Sequence, residues 1–356
     1  MRNEARRVIA QLSQSRVVLA AEQTQFTDQE LQLLHAPVNS LAIDRLLPAK
    51  SVKVGESWEI DDEVIASLLD MDAVQKSTVS ISMTSFDDAE AKMQLSGSIV
   101  ASVDGVPTSI ELRGKMTFDR GQRAVSWLAL AIREDRDVGK AEPGFEVAAQ
   151  VRVIRQSLPK PHAVKNTEPI DFTIPLTDDK LLVDVRSQPG GFSVFCDRRW
   201  RVMTSNDRFT MMRLIENDKV VAQCDVRSMP KLKEGHQVTL EAFQDDIQRT
   251  LGNRFGEFLE AEEKVTSSQL RLIRVVAQGS VENIPVQWIY THFSDDAGRR
   301  CAAIFTLADQ QVEAFAGGDI QFAEGFRFID NEATPSADAK SATEEVADAS
   351  DAGNLK

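Results

Sequence analysis

Cysteine, histidine and tyrosine are scarce in this 356-residue chain, which has three, four and one of them respectively. Cys196, Cys224 and Cys301 are too few and too scattered for a disulfide framework or a CxxC metal knuckle, so they say nothing about redox compartment. No apolar run is long enough to span a bilayer. No GxSxG, HExxH, GxGxxG, Walker or DxDxDG pattern occurs, which removes the common signatures of hydrolases, zinc enzymes, nucleotide binders and calcium loops. A surplus of basic residues is missing too. The net charge of −14 argues against a nucleic-acid partner, because phosphate affinity is built on clustered Lys and Arg.

What remains is a globular composition, 42% hydrophobic and 27% charged, long enough for two cores. The start, MRNEARRVIAQLSQSRVVLA, has its apolar part broken by Gln, Ser and Arg and is not a signal peptide. The expectation is therefore a cytoplasmic protein, or an extracytoplasmic one whose leader lies upstream of this chain.

Hydrophobic period divides the chain into parts. Residues 1–39 read as an N-terminal helical or partial segment, in which TDQELQLL is a short helix capped by Thr27 or Asp28. Residues 40–156 read as a curved antiparallel meander carrying one helix, DDEVIASLLDMD, with Val64, Ile65, Leu68 and Leu69 on its apolar face. Strands AKMQLSGSIVASV, TSIELRGKMTF, AVSWLALAIRE and EVAAQVRVIRQ alternate through turns at Asp104-Gly105 and DRGQR. Residues 157–180 read as a linker, with SLPKPHAVKNTEP its Pro-rich part. Residues 181–330 read as a second α+β domain. It has three strands, a helix from Thr239 with Leu240, Phe243, Ile247, Leu251 and Phe255 in register, then four strands and a helical stretch broken at Gly317-Gly318. Residues 331–356 lose their aromatics and turn acidic, the composition of a disordered tail. The fold class expected is α+β, two domains, each an antiparallel sheet with packed helices.

The densest set of reactive side chains is GGFSVFCDRRWR, residues 190–201. Strand parity puts Cys196 with Phe192 and Val194 on an apolar face, so it reads as packing, and no His lies near it in sequence. Cys224 and Cys301 read the same way. Arg198, Arg199, Arg201 and Arg208 form a local basic patch on an acidic chain. They are either a solvated strand edge or a docking spot for an acidic partner or anion. Trp288, Tyr290 and His292 alternate along one strand face and line either a pocket mouth or a core edge in which His292 is hydrogen-bonded. The doubled acids, Asp87-Asp88 and Asp295-Asp296 among them, fall at a helix start, two turns, a linker end and a helix surface, where acids cap backbone or face solvent.

The order of elements after residue 188 resembles the PsbP-like fold. The residues that carry it are the opening GGFSVFCDRRWRV, a Gly-aromatic strand leading to a Trp, and the closing THFSDDAGRRCAAIFTL followed by a helix. That fold is shared by the PsbP subunit of the oxygen-evolving complex, a Ran-binding nuclear-import factor and DcrB-type lipoproteins. The resemblance covers about 188–330 and implies a binding or assembly subunit. Separately, LLPAKSVKVGESWEI, 46–60, resembles an LP…V.VGDSW motif of uncharacterised planctomycete extracytoplasmic proteins, which implies a compartment and no chemistry. The function expected is a non-enzymatic binding or assembly module with an unknown protein partner, no cofactor, no metal and no nucleic acid. The competing readings are a ligand or lipid carrier or hydrolase with a cavity under the first sheet, and a purely structural pair of envelope domains.

Overall fold

Strand alternation dominates the chain, and the computed structural model is accordingly mostly antiparallel β-sheet with few, short helices. It describes residues 1–329 except 14–15, 36–37, 104, 141–142, 161–175, 207 and 234. Most of the 157–180 linker, Asp104 of the first hairpin turn and the 331–356 tail lie outside the described residues.

The N-terminal segment departs from expectation by opening as a hairpin, β1 (Val8–Ser13) paired with β2 (Arg16–Ala21). The β-branched residues Val8, Ile9, Val17 and Val18 favour extended backbone over the helical reading. Helix α1 (Asp28–Leu34) follows with a full capping box: Thr27 Oγ1 accepts from Glu30 N, and the Glu30 carboxylate accepts from Thr27 N. This segment is tied to the far half of the chain. Phe26 bridges Val183, and Asp184 N donates to Phe26 O at 2.7 Å. The Arg2 guanidinium reaches both Glu30 (2.7 Å) and Asp184 (3.4 Å). Arg2 holds the Glu30 carboxyl down at about 2.

The first large sheet runs β3 (Ser57–Glu59), β5 (Ser80–Phe86), β6 (Glu90–Val103), β7 (Val106–Asp119), β8 (Ala124–Arg136), β9 (Phe145–Ile154), with β4 (Ala73–Ser77) paired to β6 off that path. Helix α2 (Asp62–Leu69) starts after Asp61 and buries Val64, Ile65, Leu68 and Leu69. These meet Met93, Leu95, Ile99, Ile110, Leu112, Met116, Leu128 and Leu130 on one face of the sheet. Together they form one continuous apolar cluster beneath the sheet. Its other face is open to solvent.

GGFSVFCDRRWRV is two strands in two sheets, not one. β11 (Phe192–Cys196) pairs with β10 (Val183–Ser187) and with the terminal β19 (Phe326–Phe328) in a small three-stranded sheet. β12 (Trp200–Ser205) belongs to the second large sheet. The break is an Asp turn: Asp197 Oδ1 accepts from Arg199 N at 2.8 Å and Asp197 O accepts from Trp200 N at 3.0 Å. The second large sheet is ordered β12, β13 (Thr210–Glu216), β14 (Lys219–Met229), β18 (Arg300–Ala308), β17 (Ile284–Ser294), β16 (Arg271–Val281), β15 (Phe255–Val265).

Both faces of that sheet are covered along β16 and β17. Helix α3 (Leu240–Leu251), capped by Thr239, lays Phe243, Ile247 and Leu251 on one face. The short helices α4 (Val312–Phe315) and α5 (Gly318–Gly325) and the small sheet pack the other, where Trp200, Phe305 and Phe322 meet edge to face. The expected break between the last helices is present, with Ala316 and Gly317 in left-handed backbone. Gly325 has to be glycine, because a Cβ there would sit 2.1 Å from Phe195 O.

Candidate binding surface

The turn at Asp197 decides what the arginine cluster can do. Arg199 is exposed but held by Asp197 (3.0 Å) and Glu216 (2.8 Å), so its charge is matched. Arg198 is half-buried and donates to Lys180 O at 3.1 Å; burial pushes its guanidinium below the ordinary value. Arg201 donates to Arg198 O at 2.9 Å and faces Asp28 at 3.9 Å. Arg208 does not join them. It lies in the turn at the other end of the β12–β13 hairpin, which a strand rise of about 3.3 Å per residue puts roughly 17 Å from Trp200. Three arginines gather, chiefly around acids of their own chain.

Trp288, Tyr290 and His292 share the β17 face beneath α3, buried to 5%, 7% and 1% exposure, so they form neither a pocket mouth nor an edge with a hydrogen-bonded His292. They meet Phe243, whose ring is 6.5 Å from Tyr290 and 5.6 Å from His292. The row is a core layer, and neither His292 ring nitrogen has a hydrogen-bond partner among the described residues. Burial, with Arg300 and Arg271 nearby, pulls the His292 pKa from 6.5 down to about 4, so the ring is neutral at pH 7.

All three thiols are free and buried. Burial raises each above its ordinary value, Cys301 to about 12, so none is a nucleophile at neutral pH. On the face of β16 away from α3, Arg274 is buried between Asp319 of α5 and Glu260 of β15, both at 2.5 Å. The Arg274–Asp319 pair ties α5 to the sheet and occupies the guanidinium. Asp87 serves its turn by accepting from Ala89 N and Glu90 N.

Free charge sits elsewhere, on the open face of the first sheet. Antiparallel register places Gln94, Lys115, Ala129 and Arg152 in one row across β6 to β9, and Arg113, Ala131 and Gln150 in the next. Trp127 is one step further along β8. Alanines between longer neighbours leave a shallow trough of about 260 Å³, floored by Ala129 and Ala131 with Trp127 among its walls. Arg113, Lys115 and Arg152 are exposed and have no ion pair or side-chain hydrogen bond among the described residues. Sequence reasoning missed these residues because they come from strands some forty positions apart. The one local signal is Arg113 and Lys115 at strand parity.

No protein-family model and no curated protein sequence matches the chain. Among solved structures, a point mutant of the protein Mog1 matches at 9% identity and a TM-score of 0.33, covering 42% of this chain and 96% of that one. Cyanobacterial PsbP from Synechocystis matches at 11% identity and a TM-score of 0.34, over 41% of this chain and 92% of that one. A putative regulator of unknown function from Pseudomonas aeruginosa matches at 10% identity and a TM-score of 0.23, over 40% and 94%. PsbP and Mog1 structures thus stand among the neighbours, as the likeness over 188–330 implies; at these scores they say nothing of what this chain binds. Among the described residues no helix is long and apolar enough to cross a membrane.

Proposed function

We propose that the chain is a two-domain, non-enzymatic binding or assembly module that takes an acidic segment of a protein partner into the trough on its first sheet. One observation carries the reading. On a chain of net charge −14, three unpaired cations converge on an alanine floor beside a tryptophan. Screening confines long-range repulsion to about 8 Å at physiological salt, so the local cations govern what approaches this face. The trough is open and shallow, which suits an extended segment better than a small molecule needing enclosure.

The continuous apolar cluster joining α2 to the inner face of the first sheet supports a module over the carrier or hydrolase reading. The division into two domains at the 157–180 linker is supported by separate cores, one drawn from residues 38–153 and others from 183–326. Action outside the cytoplasm is supported by the likeness of 46–60 to the planctomycete motif. Of the arginines first singled out, Arg199 is matched by acids and Arg198 is partly buried, so the trough is the better docking surface.

The test is titration with poly-glutamate, followed by tryptophan emission. Saturable, salt-sensitive binding is expected, weakened about tenfold in Arg113→Ala/Lys115→Ala/Arg152→Ala because each exposed pair contributes a fraction of a kcal/mol. An Arg198→Ala/Arg199→Ala/Arg201→Ala variant keeps its affinity. Equal affinity of the trough variant and the wild type would sink the assignment.

A further inference from the structure

The paths of the two large sheets end in four strands, β3 and β9 on the first and β12 and β15 on the second. An edge strand offers unpaired backbone groups to any other chain, and folds blunt it with shortness, bulges or charge. β3 has three residues. β12 has six, with a bulge between Val202 and Thr204. β15 is long, but it has two register shifts and carries Glu257, Glu260, Glu262 and Glu263. The off-path β4 has five residues and a shift of its own. β9 is different. Its ten residues, FEVAAQVRVI, pair with β8 in unbroken register, contain no proline, and leave Phe145, Val147 and Ile154 38%, 41% and 69% exposed. Among the described residues nothing pairs with its other side.

The direction of its free backbone groups follows from one bond. Arg155 N donates to Ser126 O at 2.8 Å. Antiparallel bonds alternate, so Val147, Ala149, Val151 and Val153 turn their main-chain groups to β8, while Glu146, Ala148, Gln150, Arg152 and Ile154 turn theirs outward. The sequence of this edge is self-complementary. When two copies run antiparallel about an axis at Ala149, Glu146 of one faces Arg152 of the other, twice. Val147 then faces Val151 and Phe145 faces Val153, which gives the exposed Phe145 and Val147 apolar cross-strand neighbours. A slip of two residues sets Glu146 against Gln150 or Ile154 and loses both ion pairs. Glu146 already receives Arg133 at 2.5 Å, but a carboxylate has a second oxygen to offer.

We propose that β9 is a homodimer edge, pairing two copies of this chain through an isologous antiparallel junction centred on Ala149, which joins their first sheets into one. The junction is smaller than the roughly 1,600 Å² of a standard interface, so the dimer dissociates on dilution.

The experiment is sedimentation velocity of the full chain across the micromolar range, without polyanion. The wild type is expected to shift from monomer to dimer as concentration rises. Glu146→Arg and Arg152→Glu each set like charges opposite one another at two places and weaken the dimer by about tenfold, whereas the double exchange restores it. Ala148→Pro removes an outward-facing donor without taking a bond from β8, and it abolishes the dimer while leaving the circular-dichroism spectrum unchanged. A monomer at the highest concentration overturns the proposal, as does a double exchange no better than the single ones. Arg113→Ala/Lys115→Ala keeps the dimer while losing poly-glutamate, so failure here is separable from failure of the trough.

Discussion

The first large sheet is buried on one face and open on the other; the second is buried on both along its middle strands. On β7 the pattern is strict alternation, with Ile110, Leu112 and Met116 inside and Arg113 and Lys115 outside. On β16 six consecutive residues, Leu272–Ala277, are buried, and a charged one, Arg274, is among them. A half-covered sheet can keep its polar groups in water at no cost, so its free cations are available for contact. A sheet covered on both faces must pair every charge it holds, or lose the desolvation energy. The buried charge of the second sheet is therefore structural, while the open face of the first can hold unpaired cations such as Arg113, Lys115 and Arg152 beside surface pairs such as Arg133–Glu146.

That contrast can be broken by mutation. The largest effect is expected at the buried ion pair. Arg274→Ala leaves Asp319 buried and unmatched and should cost about 3–5 kcal/mol in urea unfolding, whereas Arg274→Met/Asp319→Leu should lose much less. Arg133→Ala, which removes a surface pair on the open sheet, should leave the unfolding midpoint where it is. If both single substitutions cost the same, the division of roles is wrong.

His292 tests the covered face by pH. Its pKa falls from 6.5 unfolded to about 4 folded, so between those values the unfolded chain binds the extra proton. Stability from the neutral buried ring is complete above about pH 6.5 and is lost as pH falls towards 4, by about 3 kcal/mol. His292→Phe should flatten the stability curve across that window. An unchanged slope would show that the ring is solvated. At the small end, Ala131→Ser on the open face should move stability by less than about 0.5 kcal/mol, measured by the same unfolding curve. A larger loss would mean that the trough floor is packed against something.

How much could be read beforehand follows the same division. The strands of the first sheet were legible because one polar face imposes a period of two, and α2 because Val64, Ile65, Leu68 and Leu69 impose a helical one. Within 190–201 the reading failed, since a continuous run of β-formers hides a change of sheet; only the Asp197 turn marks it. Trp288, Tyr290 and His292 were legible as a row, but whether a helix or water covered them was not. Local order along β9 displays its even pattern of Glu146 and Arg152, yet nothing local says that the strand is an edge.

By itself the sequence determined most strands of the first sheet, helices α2 and α3, and which cysteines are packing, because period and composition are properties of neighbours in the chain. Tertiary structure alone decided which charges are spent and which are free. Arg199 meets Glu216, and Arg274 meets Asp319 of a distant helix, while Arg113 and Lys115 of β7 come together with Arg152 of β9 with no acid of the same chain opposite. Pairing across strands is set by register and topology, which couple residues far apart along the chain, and that is where the candidate site lies.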